Sequence, residues 1–228
     1  MKKDNLNNFP GYLFVLIFFA GSIFFQTNFS ENVLLKINGS TEFWDKYFEI
    51  IYYGIFSVAF LLLYRNQIIK IIKETKITYL KYIVIALIFI LITMVASAII
   101  LSCNGIGDSA NERAISESMS NYRLSTLLVV IVIGPFVEEI VFRGLIYDLL
   151  RGKKENLSRI IISNFFTSLI FAVYHCDIKY FLVFDTKEIL SIIPLFFLGV
   201  GLAYVKEKTS NVSCSLATHI IINLIGIS

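Results

Sequence analysis

The sequence predicts an all-α fold, a polytopic transmembrane helical bundle of about seven spans, and three observations carry that expectation. Hydrophobic residues make up 57% of the 228 and charged residues 16%, with a mean hydropathy of +0.75. Soluble domains sit at about one half apolar and about one quarter charged. The apolar residues also collect into runs near membrane-spanning length, over 9–25, 47–64, 79–101, 124–150, 157–175, 189–205 and 211–227. Lys and Arg then alternate between the loops. One set holds Lys2, Lys3, Arg65, Lys70, Lys73, Lys76, Arg151, Lys153, Lys154, Arg159, Lys206 and Lys208. The other holds only Lys36, Lys46, Arg113, Arg123, Lys179 and Lys187. The richer set marks the cytoplasmic side, so the N-terminus is expected inside and the C-terminus outside.

Each segment follows from its residues. The run over 9–25 follows Lys2 and Lys3 as a signal peptide would, but no small-x-small cleavage pattern follows it, so an anchored helix is expected. Residues 65–78 mix apolar pairs with Lys at near-helical spacing and read as a short helix on the inner leaflet. Residues 104–123, rich in Ser, Asn and acids, read as an outer loop. Two regions result: 1–123, three membrane helices with that loop, and 124–228, four membrane helices that carry every motif below.

Several function classes fall away. The net charge of +3 is spread over loops, and no Lys/Arg stripe interleaves with aromatics, so nucleic acid is not an expected partner. Cys103, Cys176 and Cys214 form no CxxC and no paired spacing, which argues against a disulfide framework and a thiolate metal site.

The chemistry concentrates in three apolar segments. Ionisable groups cost roughly 2.5–3.5 kcal/mol each at bilayer depth on insertion scales, so those present there are candidates for function. Glu139 and Arg143 are four residues apart, share a helix face and run acid before base, the favoured order. Glu138 lies about 100° round the helix, free to face a cavity and handle a water molecule. It is the candidate general base, with Glu139 and Arg143 in support; the pair reads equally as a structural ion pair. Both histidines of the chain lie in other helices. His175 shares a face with Phe171, which would wall the site. His219 shares a face with Asn223, and that pair suits a metal, an oriented water, a developing oxyanion or plain interhelical hydrogen bonding. Gly134-Pro135 precedes Glu138 by one turn and should free backbone carbonyls where the helix lines a cavity. His175 falls near the outer end of its helix, about 27 Å from the inner end at 1.5 Å per residue. Either that helix tilts or begins later, or 177–188 folds back into the membrane.

Together the motifs Glu138-Glu139-x-x-x-Arg143, Phe171-x-x-x-His175 and His219-x-x-x-Asn223 resemble those of the CAAX-protease and bacteriocin-processing (Abi) family of intramembrane endopeptidases. Gly144 after Arg143 also fits that family, and the resemblance covers 124–227. It implies a glutamate-dependent hydrolase acting on a membrane-associated peptide or protein within the lipid bilayer. Glu138 would activate water, His175 would hold or polarise it, His219 and Asn223 would stabilise the oxyanion, and Glu139, Arg143 and Phe171 would support them. The family is classed with metalloproteases; no HExxH is present, and a zinc held by His175, His219 and Glu138 is stereochemically open but not required. Bacterial relatives are associated with peptide or bacteriocin maturation, immunity and pheromone regulation. The usage of Ile, Asn, Lys and Phe suits an AT-rich bacterial genome and a cell-membrane location. The alternatives are a non-catalytic immunity or sensor-scaffold protein and a proton-coupled transporter built on the same charges.

Overall fold

In the computed structural model, residues 9–25, 36, 41–152 and 156–227 are described, and among them every regular element is helical. Lys2, Lys3, Lys153 and Lys154, part of the charge alternation above, lie outside the described residues. The helices are α1 (Phe9–Phe25), α2 (Thr41–Lys73), α3 (Leu80–Cys103), α4 (Ala110–Asn121), α5 (Arg123–Arg151), α6 (Leu157–Tyr174), α7 (Ile178–Leu182), α8 (Thr186–Thr209) and α9 (Val212–Ile227). All seven apolar runs form helices. Five of them (α2, α3, α5, α6 and α8) are long and apolar enough to cross a membrane; α1 and α9 are apolar but shorter. The chain is a multi-pass membrane protein.

The short helix expected over 65–78 is present over 65–73, set off from the rest of α2 by a kink at Tyr64, where φ is −125° and ψ 20°. Asn211 donates its amide to the Ile71 carbonyl (2.9 Å) and to Thr75 Oγ1 (3.0 Å), tying down a carbonyl left open as α2 ends. The expected outer loop contains α4. Its start is a capping box: Glu112 N–H donates to Ser109 Oγ, and Ser109 N–H donates to the Glu112 carboxylate. Polarity hid that signature among the other Ser, Asn and Glu residues.

Membrane helices bury a stripe and leave the rest for lipid. On α3, Ile88, Ile92, Val95 and Ile99 are exposed, whereas Ala86 and Ile90 are buried. Helix α8 runs through the middle, packed against α3, α6 and α9. Small residues permit this. A Cβ on Gly199 would sit 2.9 Å from the Ser168 Cα, and one on Gly201 only 2.5 Å from Ile90 Cγ1. Gly199→Ala drives a methyl into backbone and is expected to cost about 1–3 kcal/mol. Thermal unfolding in detergent should show a lower Tm for it, with Gly54→Ala, where nothing lies within 4 Å, as the neutral control.

α1 is held by rings. Phe14 and Phe18 pack edge-on against Phe56 of α2 at 5.2 and 5.3 Å, and Phe18 stacks on Tyr174 of α6 at 5.2 Å. Such pairs add about 0.5–1.5 kcal/mol each beyond buried area. Thus α1 and α2 close one side of the cavity formed by α5, α6 and α9. At the other end of the bundle Arg151 pairs with Glu207 (3.1 Å) and Lys206 with Asp148 (3.1 Å), joining α5 to α8.

Candidate active site

The site begins with an irregular helix. α5 is α-helical at its ends and over Gly134–Glu139, with π-helical turns at Val129–Ile133 and Ile140–Ile146. Such turns are frequent at functional sites. The cause is local: Gly134 donates its N–H to Val129, five residues back, and Pro135 has no N–H to give. The Val130 carbonyl therefore loses both its α and its π partner. Asn223 of α9 donates its amide to that carbonyl at 2.7 Å. The freed carbonyl expected from Gly134-Pro135 is present, and a site residue takes it.

The π turns set the facing of the charged residues. Glu139 and Arg143 turn inward and are completely buried. Arg143 donates to Glu139 Oε1 at 2.9 Å and to the Gly199 carbonyl at 3.3 Å, and its guanidinium lies 4.5 Å from the Phe171 ring centre. Glu139 Oε1 also accepts from His219 Nδ1 at 3.0 Å. Glu138 faces a cavity of about 440 Å³ lined also by His175, His219 and Asn223.

Both histidines have their tautomers set by acceptors. His175 is the residue that ends α6, and its Nδ1 lies 2.8 Å from the Phe171 carbonyl, which can only accept, so Nδ1 carries the hydrogen. The Glu139 carboxylate fixes His219 the same way. Each ring then offers Nε2 toward Glu138 Oε2, at 3.8 Å in both cases. That gap is too long for a direct hydrogen bond. Three polar atoms from α5, α6 and α9 thus converge on one point of the cavity, separated by enough room for a small polar guest. Phe171 packs against both rings, 4.5 Å from His175 and 5.8 Å from His219 by centroid.

The position of His175 is explained by a turn. The chain reverses there, Asp177 caps α7 and Asp185 caps α8. The buried Glu188 carboxylate accepts from Asp177 N–H at 3.2 Å and from Ala110 N–H, so residues 177–188 and the start of α4 are bound together beside the cavity.

Residues 120–225 match the family model "Type II CAAX prenyl endopeptidase Rce1-like". Over this segment the chain is similar to the CAAX-protease family. A curated relative, "Putative membrane peptidase YdiL" of Bacillus subtilis (strain 168), is 26% identical over 120 residues, covering 52% of this chain and 43% of that protein. The chain therefore spans less than half the length of that relative. No solved structure matches the chain.

The family segment holds Glu138, Glu139, Arg143, Phe171, His175, His219 and Asn223, and the fold brings all seven to one locus. Asn223 differs from expectation in one respect: one of its amide hydrogens is committed to Val130. Among the cavity residues outside the segment are Glu49 and Tyr53 of α2, which were not anticipated. They are four residues apart on one helix face, and Glu49 is an acid inside an apolar run, which is the signal that finds them. For a metal, the donor types would suit zinc, but among the described residues no group of three or more His, Cys, Asp or Glu is arranged to hold one. The set His175, His219 and Glu138 does not fit a metal as it stands, and no step below passes through one.

Proposed function

We propose that the protein is an intramembrane endopeptidase in which Glu138 activates a water molecule for attack on a peptide bond. The observation that carries the reading is the convergence of His175 Nε2 and His219 Nε2 on Glu138 Oε2, at 3.8 Å each, in a cavity between membrane helices. A water held there donates one hydrogen to Glu138 and one to His175, which turns its lone pair toward the substrate carbonyl. Glu138 takes the proton as the C–O bond forms. The oxyanion is met by the remaining amide hydrogen of Asn223 and by the His219 ring that Glu139 orients, a contact that needs a hydrogen on His219 Nε2 as well as on Nδ1. As the C–N bond breaks, Glu138 passes its proton to the leaving amine, and the hydroxyl hydrogen left on the new acid is released, giving one new carboxylate and one new amine. Glu139 and Arg143 hold the frame.

The substrate is a membrane-associated peptide or protein segment, since the cavity lies between membrane helices. The protein sits in a bacterial cell membrane with its N-terminus cytoplasmic, by the Lys and Arg alternation. A role in peptide or bacteriocin maturation, immunity or pheromone signalling fits that substrate class. Mass spectrometry of membrane and secreted peptides, from cells carrying wild type or Glu138→Ala at equal abundance, tests the reading. Peptide termini present only with wild type are expected, and they name the substrate. Identical profiles would overturn the protease reading in favour of a non-catalytic membrane partner.

A further inference from the structure

We infer that Tyr53 is a positioning residue for Glu138: it holds one carboxylate oxygen and so leaves the other facing the two histidines. The purpose of this arrangement rests on the protease reading, but its geometry stands apart from it. Tyr53 belongs to α2, outside the family segment 120–225, so the N-terminal half of the chain helps build the site.

The two oxygens of Glu138 have different company. Oε2 faces His175 and His219. Oε1 accepts from the Tyr53 hydroxyl at 3.5 Å. That hydroxyl also lies 3.0 Å from the hydroxyl of Tyr174. A phenol has one hydrogen to donate. With the Tyr53 hydrogen directed to Glu138, Tyr174 must donate to Tyr53, which gives a directed chain from Tyr174 through Tyr53 to Glu138. Tyr174 is itself fixed, stacked on Phe18 and edge-on to Phe19 at 5.7 Å. It also immediately precedes His175 in the sequence. The chain of hydroxyls therefore ties the carboxylate of α5 to α2 and to the helix that carries one of the two histidines.

Such a tie has work to do. The last torsion of a glutamate is broad, so an unheld carboxylate samples many planes and exchanges its oxygens. One donor on Oε1 restricts that motion and keeps Oε2 aimed at the point where the water is activated. The 3.5 Å contact is long, as hydrogen bonds in substrate-free sites often are before they tighten. The competing reading is that Tyr53 is only aromatic packing. Tyr53→Phe separates the two, because it keeps the ring and removes the hydroxyl.

The test is infrared difference spectroscopy on the full chain in liposomes, which needs no substrate. Subtracting the Glu138→Gln spectrum isolates the Glu138 carboxyl band. The same subtraction in a Tyr53→Phe background is expected to show that band shifted to the position of a carboxyl with one donor fewer. Tyr174→Phe, which weakens the chain one step back, should shift it the same way by less, and it decides the matter should Tyr53→Phe fail to accumulate. Tyr52→Phe, whose hydroxyl donates instead to the Phe18 carbonyl, should leave the band in place. An unmoved Glu138 band in Tyr53→Phe overturns the inference. A shifted band together with peptide profiles that do not depend on Glu138 keeps the positioning role and removes the protease reading.

Discussion

Arg143→Ala is expected to destabilise the protein by about 3–5 kcal/mol, the range found when one partner of a buried ion pair is removed. Both Arg143 and Glu139 are completely buried, so the Glu139 carboxylate would keep its charge in the bundle interior without its guanidinium partner. The Gly199 carbonyl would lose its donor as well, and Phe171 its covering cation. Unfolding in detergent measures the loss. Removing both charges together, as Arg143→Met with Glu139→Leu, is expected to recover much of the stability, because no lone charge remains buried. The resulting double-mutant cycle should show a strong positive coupling between the two positions. Additive single effects would mean that the pair contributes little to the fold. The recovered double variant should still lack cleavage, since His219 would have lost the acceptor on its Nδ1.

Glu138→Gln is expected to behave in the opposite way. The amide matches the carboxylate in size, and among the described residues Glu138 makes no salt bridge to a Lys or Arg, so the fold is expected to keep its stability. Cleavage should fall by about 10²–10⁴-fold, the contribution typical of a positioned general base. His175 and His219 would retain their tautomers, because Phe171 and Glu139 set them independently of Glu138. A variant with normal Tm and no turnover would place the defect in proton transfer rather than in assembly.

These two outcomes reflect how differently the parts of the molecule could be read from the sequence. Hydropathy is summed over many residues, so the seven apolar helices were legible, including their ends to within a few positions at α3, α5, α6 and α9. The pairing of Glu139 with Arg143 and the separate facing of Glu138 were also legible, because helical angles separate a residue paired with Arg143 from one turned aside. The approach of three helices to 3.8 Å was not, as no single segment encodes it. The π turns of α5 depend on a particular competition for N–H groups around Pro135, and the amide that settles it comes from Asn223, 93 residues away. Tyr53 and Glu49 were not legible as site residues because α2 carries no motif and reads as a plain membrane anchor. Helix α4 was hidden for a different reason: its capping box lies in a stretch so polar that composition alone suggested a loop.

The most direct measurement of the central claim uses purified protein in liposomes and the peptide whose new termini distinguish wild-type cells. Wild type should hydrolyse that peptide, and Glu138→Gln, at equal amount and equal Tm, should not do so measurably above background. Hydrolysis by Glu138→Gln at the wild-type rate would contradict the account, whatever the stability of the variant.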